Sequence, residues 1–209
     1  FRAKILKLLI SSEKKFQFNK SKYKNRHQVE KYSDFVNESL NTNYLAGKLI
    51  IYPNLNHTKK NSKSIIGINP GASYGNSKRW SPKEFAKVAT VLSNKFDILI
   101  FGDIGEMEIA ADIEKYLDRK GITNYQNLVG RTSIEELIFH ISTLDIFITG
   151  DSGPMHIAAA FQIPTVTIFG PTDDKVYGPM GKNNLIIRGN KSYSEIIKEK
   201  NKKFTDEKY

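Results

Sequence analysis

Phe147-Ile148-Thr149-Gly150-Asp151-Ser152-Gly153-Pro154-Met155-His156 reads as a strand that runs into a tight polar turn and then a helix. Phe147 to Thr149 is a short β-favouring run, and Gly150 and Gly153 let the backbone turn sharply after it. Ser152 stands where an N-cap belongs, and Pro154 fits the first helical turn because its missing N–H would have had no partner there. A small-residue helix through Ala158, Ala159 and Ala160 then leads to Pro164, and residues 165–169 return to a sheet. The first amides of such a helix lack partners, and its dipole favours negative charge in front of them. Asp151 acts against that, since a carboxylate repels a phosphate unless it meets a hydroxyl, a cation or the helix amides. Together these features point to a ligand with both charged and polyhydroxylated parts.

Outward from this unit the chain keeps a regular beat. Strands are expected at 64–68, 96–101, 127–129, 145–149 and 165–169. Helices are expected from Ser81 to about Leu92, from about Glu106 to Leu117, and from Ser133 to about Ser142, besides the one at Pro154. Ser81-Pro-Lys-Glu84 and Ser133-Ile-Glu-Glu136 both have the pattern of a capping box. Five strands alternating with four helices predict an α/β fold with a Rossmann-like parallel sheet covered on both faces. If the strand order is 3-2-1-4-5, the first and fourth strands meet where the winding reverses, and ligands bind in that crevice. The loops leaving them, residues 69–80 and 150–156, would then face one another.

Residues 1–63 have a different texture: polar and lysine-rich, without that alternation. They are expected to be mainly helical, with helices at 3–10 and 28–40 and a possible edge strand at 49–53 ended by Pro53. The domain reading is therefore 1–63 as a remnant of an amino-terminal domain with its linker, 64–190 as the Rossmann-like domain, and 191–209 as a helical tail. The chain opens on Phe1 rather than methionine and is expected to begin inside a longer protein.

The composition narrows the partners. No run of 18 apolar residues is present, so no helix is expected to span a membrane. With no cysteine, disulfides and thiolate metal sites are excluded. The formal net charge of +10 favours polyanions: nucleic acid, anionic lipid or a phosphorylated substrate. The basic stretches lack interleaved aromatics in a strand pattern, which leaves a single-stranded nucleic-acid platform poorly supported, and much of the charge reads equally well as a solvated surface.

The loop Asn69-Pro-Gly-Ala-Ser-Tyr-Gly-Asn-Ser-Lys-Arg-Trp80 has the makings of a phosphate clamp, with Ser73, Ser77, Lys78 and Arg79 on a glycine-freed backbone. Its spacing is neither that of a P-loop nor that of a dinucleotide fingerprint. Trp80 reads as packing that holds the loop. Asp151, Ser152 and His156 do not form a nucleophile elbow, which requires Gly-x-Ser-x-Gly. His156, in the first helical turn, either donates to a phosphoryl oxygen or packs. Glu106 either accepts ribose hydroxyls or complements a helix dipole. Thr132 either lies against a nucleobase or merely begins its helix. His27, His57 and His140 have no ligand spacing, so no metal site is expected.

Three stretches, in order and at matching spacing, carry a resemblance to a known family: residues 70–80, Asp151-Ser-Gly-Pro-Met-His-Ile-Ala-Ala-Ala160, and Ile168-Phe-Gly-Pro-Thr-Asp173. They resemble the ADP-heptose:lipopolysaccharide heptosyltransferases, glycosyltransferase family 9, and are nearest the heptosyltransferase II group. The similarity covers residues 65–174 well and residues 1–60 more faintly, the latter resembling the end of the family's acceptor-binding domain.

The resemblance implies the carboxyl-terminal half of a GT-B glycosyltransferase. It implies transfer of heptose, with inversion, from ADP-L-glycero-D-manno-heptose to the inner core of lipopolysaccharide. It makes Lys78 and Asp151 the catalytic residues. Ser73, Lys78, Glu106, Thr132, Ser152, Gly153 and His156 would hold the donor: Ser73 and Lys78 the diphosphate, Glu106 the ribose, Thr132 the adenine, and Ser152, Gly153 and His156 the phosphates. Asp151 would face the sugar hydroxyls. It further implies no cofactor or metal, a lipid A–core acceptor, no nucleic acid, and a cytoplasmic protein peripheral to the inner membrane. No stretch here corresponds to the family's aspartate base on the acceptor, so this chain by itself is expected to be inactive. The alternatives weighed are a nucleotide-sugar epimerase of GT-B fold and a basic polyanion-binding module.

Overall fold

The computed structural model describes residues 10–19, 21–23, 26–52, 63–71 and 79–189 of the 209. The expected helix at 3–10 and tail at 191–209 lie outside the described residues but for Ile10. The described residues form two compact units, one made of those up to Gly47 with Lys175–Tyr177, the other of the rest.

In the first unit, helix α1 (Gln28–Leu40) is launched by His27. The His27 ring nitrogen accepts from the Val29 amide, and Glu30 reaches back to the His27 amide in a capping box. A ring cluster of Phe18 with Tyr23, Tyr32 and Phe35 packs beside it. The expectation of mainly helical structure fails here: among the described residues up to 60, only 28–40 are helical. Residues 49–52 are not a strand either, since Ile50 and Tyr52 stand exposed without the backbone pairing a strand requires.

The second unit carries β1 (Ser64–Asn69), α2 (Pro82–Leu92), β2 (Phe96–Ile100), a 3₁₀ turn (Ile104–Glu106), α3 (Met107–Arg119), β3 (Tyr125–Asn127), α4 (Ile134–Ser142), β4 (Ile146–Gly150), α5 (Gly153–Ala160), β5 (Thr165–Phe169) and β6 (Asn184–Arg188). The short helix α6 (Asp174–Tyr177) precedes β6 in the chain, and all of it but Asp174 is counted with the first unit. The sheet order is β3-β2-β1-β4-β5-β6, parallel throughout. Thus β1 and β4 meet at the switch point, as expected.

Side-chain alternation along β1 explains the two covered faces. Ile66 and Ile68 join Phe85, Ala89, Ile113 and Leu117 of α2 and α3 on one side. Ile65 joins Ile141, Phe147 and Ala158 of α4, β4 and α5 on the other. Between Ile66 and Ile68, Gly67 makes room on that second side. A Cβ there would come within 2.5 Å of Leu144 and 2.8 Å of Phe147.

Several local expectations are corrected. The Ser81 capping box does not form, because the Glu84 amide bonds to the Ser81 carbonyl (3.0 Å) and the Glu84 carboxylate turns to Lys87 (2.7 Å). The Ser133 box does form, with the Glu136 amide on the Ser133 hydroxyl and the Ser133 amide on Glu136. Strand β3 lies at 125–127 rather than 127–129. The Asn127 side chain accepts the Val129 amide and turns the chain, so Leu128 and Val129 fill the core from a loop. The sixth strand, β6, was not foreseen. It sits at the sheet edge with Leu185 and Ile187 exposed.

Candidate functional site

A cleft of about 270 Å³ opens at the carboxyl ends of the strands. It is built from the end of β1 (Asn69, Gly71), the turn after β2 (Gly102, Asp103, Glu106), the start of α4 (Thr132, Ser133, Ile134, Leu137) and the start of α5 (Ser152, Gly153, Pro154).

Glu106 is only 5% exposed, at the end of the 3₁₀ turn. Its Oε2 accepts the Asp103 amide at 3.0 Å, while the Asp103 carboxylate takes the Gly105 amide at 2.7 Å. Its Oε1 lies 3.8 Å from the Arg79 guanidinium, a screened attraction rather than a hydrogen bond. Backbone closes in on the carboxylate from two sides. A Cβ on Gly71 would fall 1.8–2.0 Å from its atoms, and one on Gly102 would fall 2.7 Å from Oε2. The glycines are therefore what allow a carboxylate to be held at this depth.

The other wall is set by the switch point. Asn69 and Thr149 are partners in the β1–β4 register, and both are buried. The Asn69 amide nitrogen donates to the Thr149 hydroxyl at 3.3 Å and to the Ser152 hydroxyl at 3.2 Å. The two hydroxyls lie 2.9 Å apart, and Thr149 also bonds the Gly150 carbonyl at 3.0 Å. Ser152 occupies the N-cap position of α5, yet its side chain caps nothing, which corrects the sequence reading. Its hydroxyl is turned sideways into this network.

Of the residues singled out from sequence, Glu106, Thr132, Ser152 and Gly153 are brought together on the cleft. Asp151 and His156 flank Ser152 and Gly153 in the same turn and helix, half-buried, but are not among the lining residues. Ser73 and Lys78 lie outside the described residues. Asn69 and the apolar Ile134 and Leu137 were missed. A polar residue closing an apolar strand was the available signal for Asn69. Trp80 packs edge-on against Phe85 at 5.1 Å. His140 packs against Phe101 and Phe139, and burial holds its pKa below the ordinary value while Glu136 opposes the shift. Among the described residues, no three or more His, Asp or Glu side chains gather as a metal site. No described helix is long and apolar enough to cross a membrane.

Chemically the cleft offers a fixed carboxylate, a threonine hydroxyl, apolar surface from Ile134, Leu137 and Pro154, and a helix start without a serine cap. The model of glycosyltransferase family 9 (heptosyltransferase) matches residues 9–206. The chain belongs to glycosyltransferase family 9.

Among family 9 relatives, a lipooligosaccharide heptosyltransferase 2 from Campylobacter jejuni subsp. jejuni serotype O:2 is 39% identical over 189 residues, covering 88% of this chain and 59% of that protein. The chain thus spans less than two thirds of that relative's length. The family 9 crystal structure from Veillonella parvula superposes with a TM-score of 0.69 at 22% identity, covering 88% of this chain and 55% of the other. An E. coli heptosyltransferase solved with ADP gives a TM-score of 0.65 at 21% identity, covering 93% of this chain and 59% of the other. The structural matches establish a shared fold, the Rossmann-like parallel sheet of GT-B enzymes.

Proposed function

We propose that the whole protein transfers heptose, with inversion, from ADP-L-glycero-D-manno-heptose to the inner core of lipopolysaccharide, and that residues 64–190 bind the donor. The observation that carries this reading is the convergence of Glu106, Thr132, Ser152 and Gly153 on one cleft at the β1–β4 switch point of a family 9 chain. A relative named as a heptosyltransferase 2, and a structural match solved with ADP, support it.

In this reading the ribose hydroxyls donate to the Glu106 carboxylate. Adenine lies along Ile134 and Leu137 near Thr132. The diphosphate meets the start of α5 through the Ser152 and Gly153 backbone, together with His156, Ser73 and Lys78. Asp151 faces the heptose hydroxyls. The acceptor hydroxyl attacks the anomeric carbon from the face opposite the diphosphate. The anomeric C–O bond breaks, the proton leaves to a base, and negative charge grows on ADP. Lys78 and the helix amides stabilise that charge where it develops, and no metal or other cofactor is required. Residues 1–63 belong to the acceptor side and linker, and 191–209 to a tail. The acceptor is lipid A–core, reached by peripheral contact at the cytoplasmic face of the inner membrane, and nucleic acid is not a partner.

Titration calorimetry of the chain with ADP, UDP and single-stranded RNA tests the reading, alongside a transfer assay of the whole protein with ADP-heptose. Selective ADP binding and heptose transfer are expected. Preference for UDP would favour an epimerase, and RNA binding that falls steeply with salt would favour a polyanion-binding module.

A further inference from the structure

A carboxylate that accepts hydroxyls inside a cleft must stay charged and stay aimed, and burial works against its charge. Glu106 is 5% exposed, and backbone lies so close to its carboxylate that neither Gly71 nor Gly102 has room for a Cβ. The Asp103 amide, a neutral donor, holds Oε2 at 3.0 Å. An opposing charge comes from elsewhere in the chain. The Arg79 guanidinium stands 3.8 Å from Oε1, and the Arg79 side chain is 25% exposed.

The two partners arrive on different elements. Glu106 closes the 3₁₀ turn after β2. Arg79 precedes Trp80, which packs on the core cluster beside Phe85 just before α2 begins at Pro82. Among the described residues, Glu106 lines the cleft and Arg79 does not. The cation therefore stands beside the carboxylate and outside the ligand space. At 3.8 Å the guanidinium attracts the carboxylate without occupying an acceptor site on it.

We propose that Arg79 is a positioning residue that makes the cleft selective for a vicinal diol: its charge keeps the Glu106 carboxylate ionised and in place, so that the nucleotide is recognised by both hydroxyls of its ribose. This rests on the donor-binding reading above and adds to it what equips the carboxylate for the task. A ribose offers two adjacent hydroxyls, and a hydrogen bond to a charged acceptor is stronger than one to a neutral acceptor. Without the cation, a carboxylate at this depth is driven to neutralise or to turn toward water. Either change weakens its hold on the hydroxyls and spares the contacts made by the rest of the ligand.

Titration calorimetry of the chain with ADP and with 2′,3′-dideoxy-ADP measures the diol's contribution as the ratio of the two dissociation constants. In the unsubstituted chain the ratio should be about tenfold to a hundredfold, the weight of a hydrogen bond to a charged group. Arg79→Met should bring it to about fivefold or less, the weight of a bond to a neutral acceptor, while dideoxy-ADP affinity changes less than about twofold. Arg79→Lys keeps the charge and should retain most of the ratio. In the Glu106→Gln background there is no charge left to hold, and Arg79→Met should leave the ratio within about twofold of Glu106→Gln alone.

Equal weakening of both nucleotides by Arg79→Met is what a phosphate contact or a general loss of structure predicts. That result would overturn the proposal and leave the donor reading standing. The same holds for an unchanged ratio, for a loss in Arg79→Lys as large as in Arg79→Met, and for a further loss in the Glu106→Gln background. If the unsubstituted chain binds both nucleotides alike, the ribose assignment of Glu106 falls and the proposal with it. If it binds neither, the donor reading itself fails. Circular dichroism checks the fold of each variant, and Arg79→Gln replaces Arg79→Met should the latter not fold.

Discussion

Gly71→Ala should be far more damaging than a single methyl on a loop suggests. The new Cβ would lie 1.8 Å from Glu106 Cδ and 1.9–2.0 Å from its two oxygens. Those separations are about half a normal contact of ~3.5–4.0 Å. A flexible exposed carboxylate would swing away, but Glu106 is 5% exposed and bonded to the Asp103 amide, and Gly102 bars retreat on a second side. Displacing it breaks a hydrogen bond to a charged group, worth about 1.5–3 kcal/mol. Urea unfolding, followed by the fluorescence of the sole tryptophan, Trp80, reads the loss. The control is Glu106→Ala, which removes the obstacle. In that background Gly71→Ala should cost less than about 0.5 kcal/mol, the usual scale of an innocuous substitution. An unchanged midpoint in Gly71→Ala, or an equal loss in both backgrounds, would refute the idea that the glycine exists to admit the carboxylate. Under the donor-binding function proposed above, ADP affinity should fall with stability in Gly71→Ala, because the same movement displaces the Glu106 carboxylate assigned to the ribose.

Three further outcomes are expected. In the whole protein, Lys78→Ala should lower turnover by about 10²–10³ with a much smaller change in the donor KM, as for other lost electrostatic contacts to developing charge; unchanged turnover, or full rescue by added magnesium, would count against it. Burial, and then the hydrogen bond to Asp118, push the Tyr125 phenol up from 10.0 to about 12. The folded chain therefore keeps that proton longer than the unfolded chain, and the stability it contributes is full below pH 10.0 and lost as pH rises through about 12. Tyr125→Phe should flatten this alkaline decline in the urea midpoint, and an unaltered slope would argue against it. Ser133→Ala should destabilise the fold by about 1 kcal/mol through loss of the α4 cap. Ser81→Ala, at a position whose hydroxyl caps nothing, should cost less than half of that in the same assay.

The core of the fold was legible because parallel strands covered on both faces need short runs rich in Ile, Val, Phe and Thr, and residues 64–69, 96–100, 146–150 and 165–169 supply them between helical stretches. Strand β6 carries an apolar run too, Leu185-Ile186-Ile187, but only the four-residue α6 stands between it and β5, so the strand–helix alternation that marked the others is missing there. The two serine–glutamate patterns look alike in sequence, and only Ser133 caps. At Ser81 the tight first turn lets the backbone carbonyl take the amide instead, a geometric choice that residue types do not reveal. In the cleft, Glu106, Thr132, Ser152 and Gly153 could be read because each sits at a strand end or helix start. Asn69 could not, because its importance lies in Thr149, its partner 80 residues away.

That same separation governs how the protein comes into being. Strand β1 has neighbours at Ile98 and Ile146 for its Ile66, and Ile65 takes a hydrogen bond partner, Asp145, 80 residues downstream. At translation rates of about 5–20 residues per second, β1 emerges roughly 4–16 s before β4. In that interval Ile65, Ile66 and Ile68, all buried once folded, have an unpaired edge where β4 will dock. The cleft at the switch point, which needs both strand ends, therefore assembles late on the ribosome. Conditions that slow synthesis between the two strands should raise aggregation of the nascent chain before they affect the finished sheet.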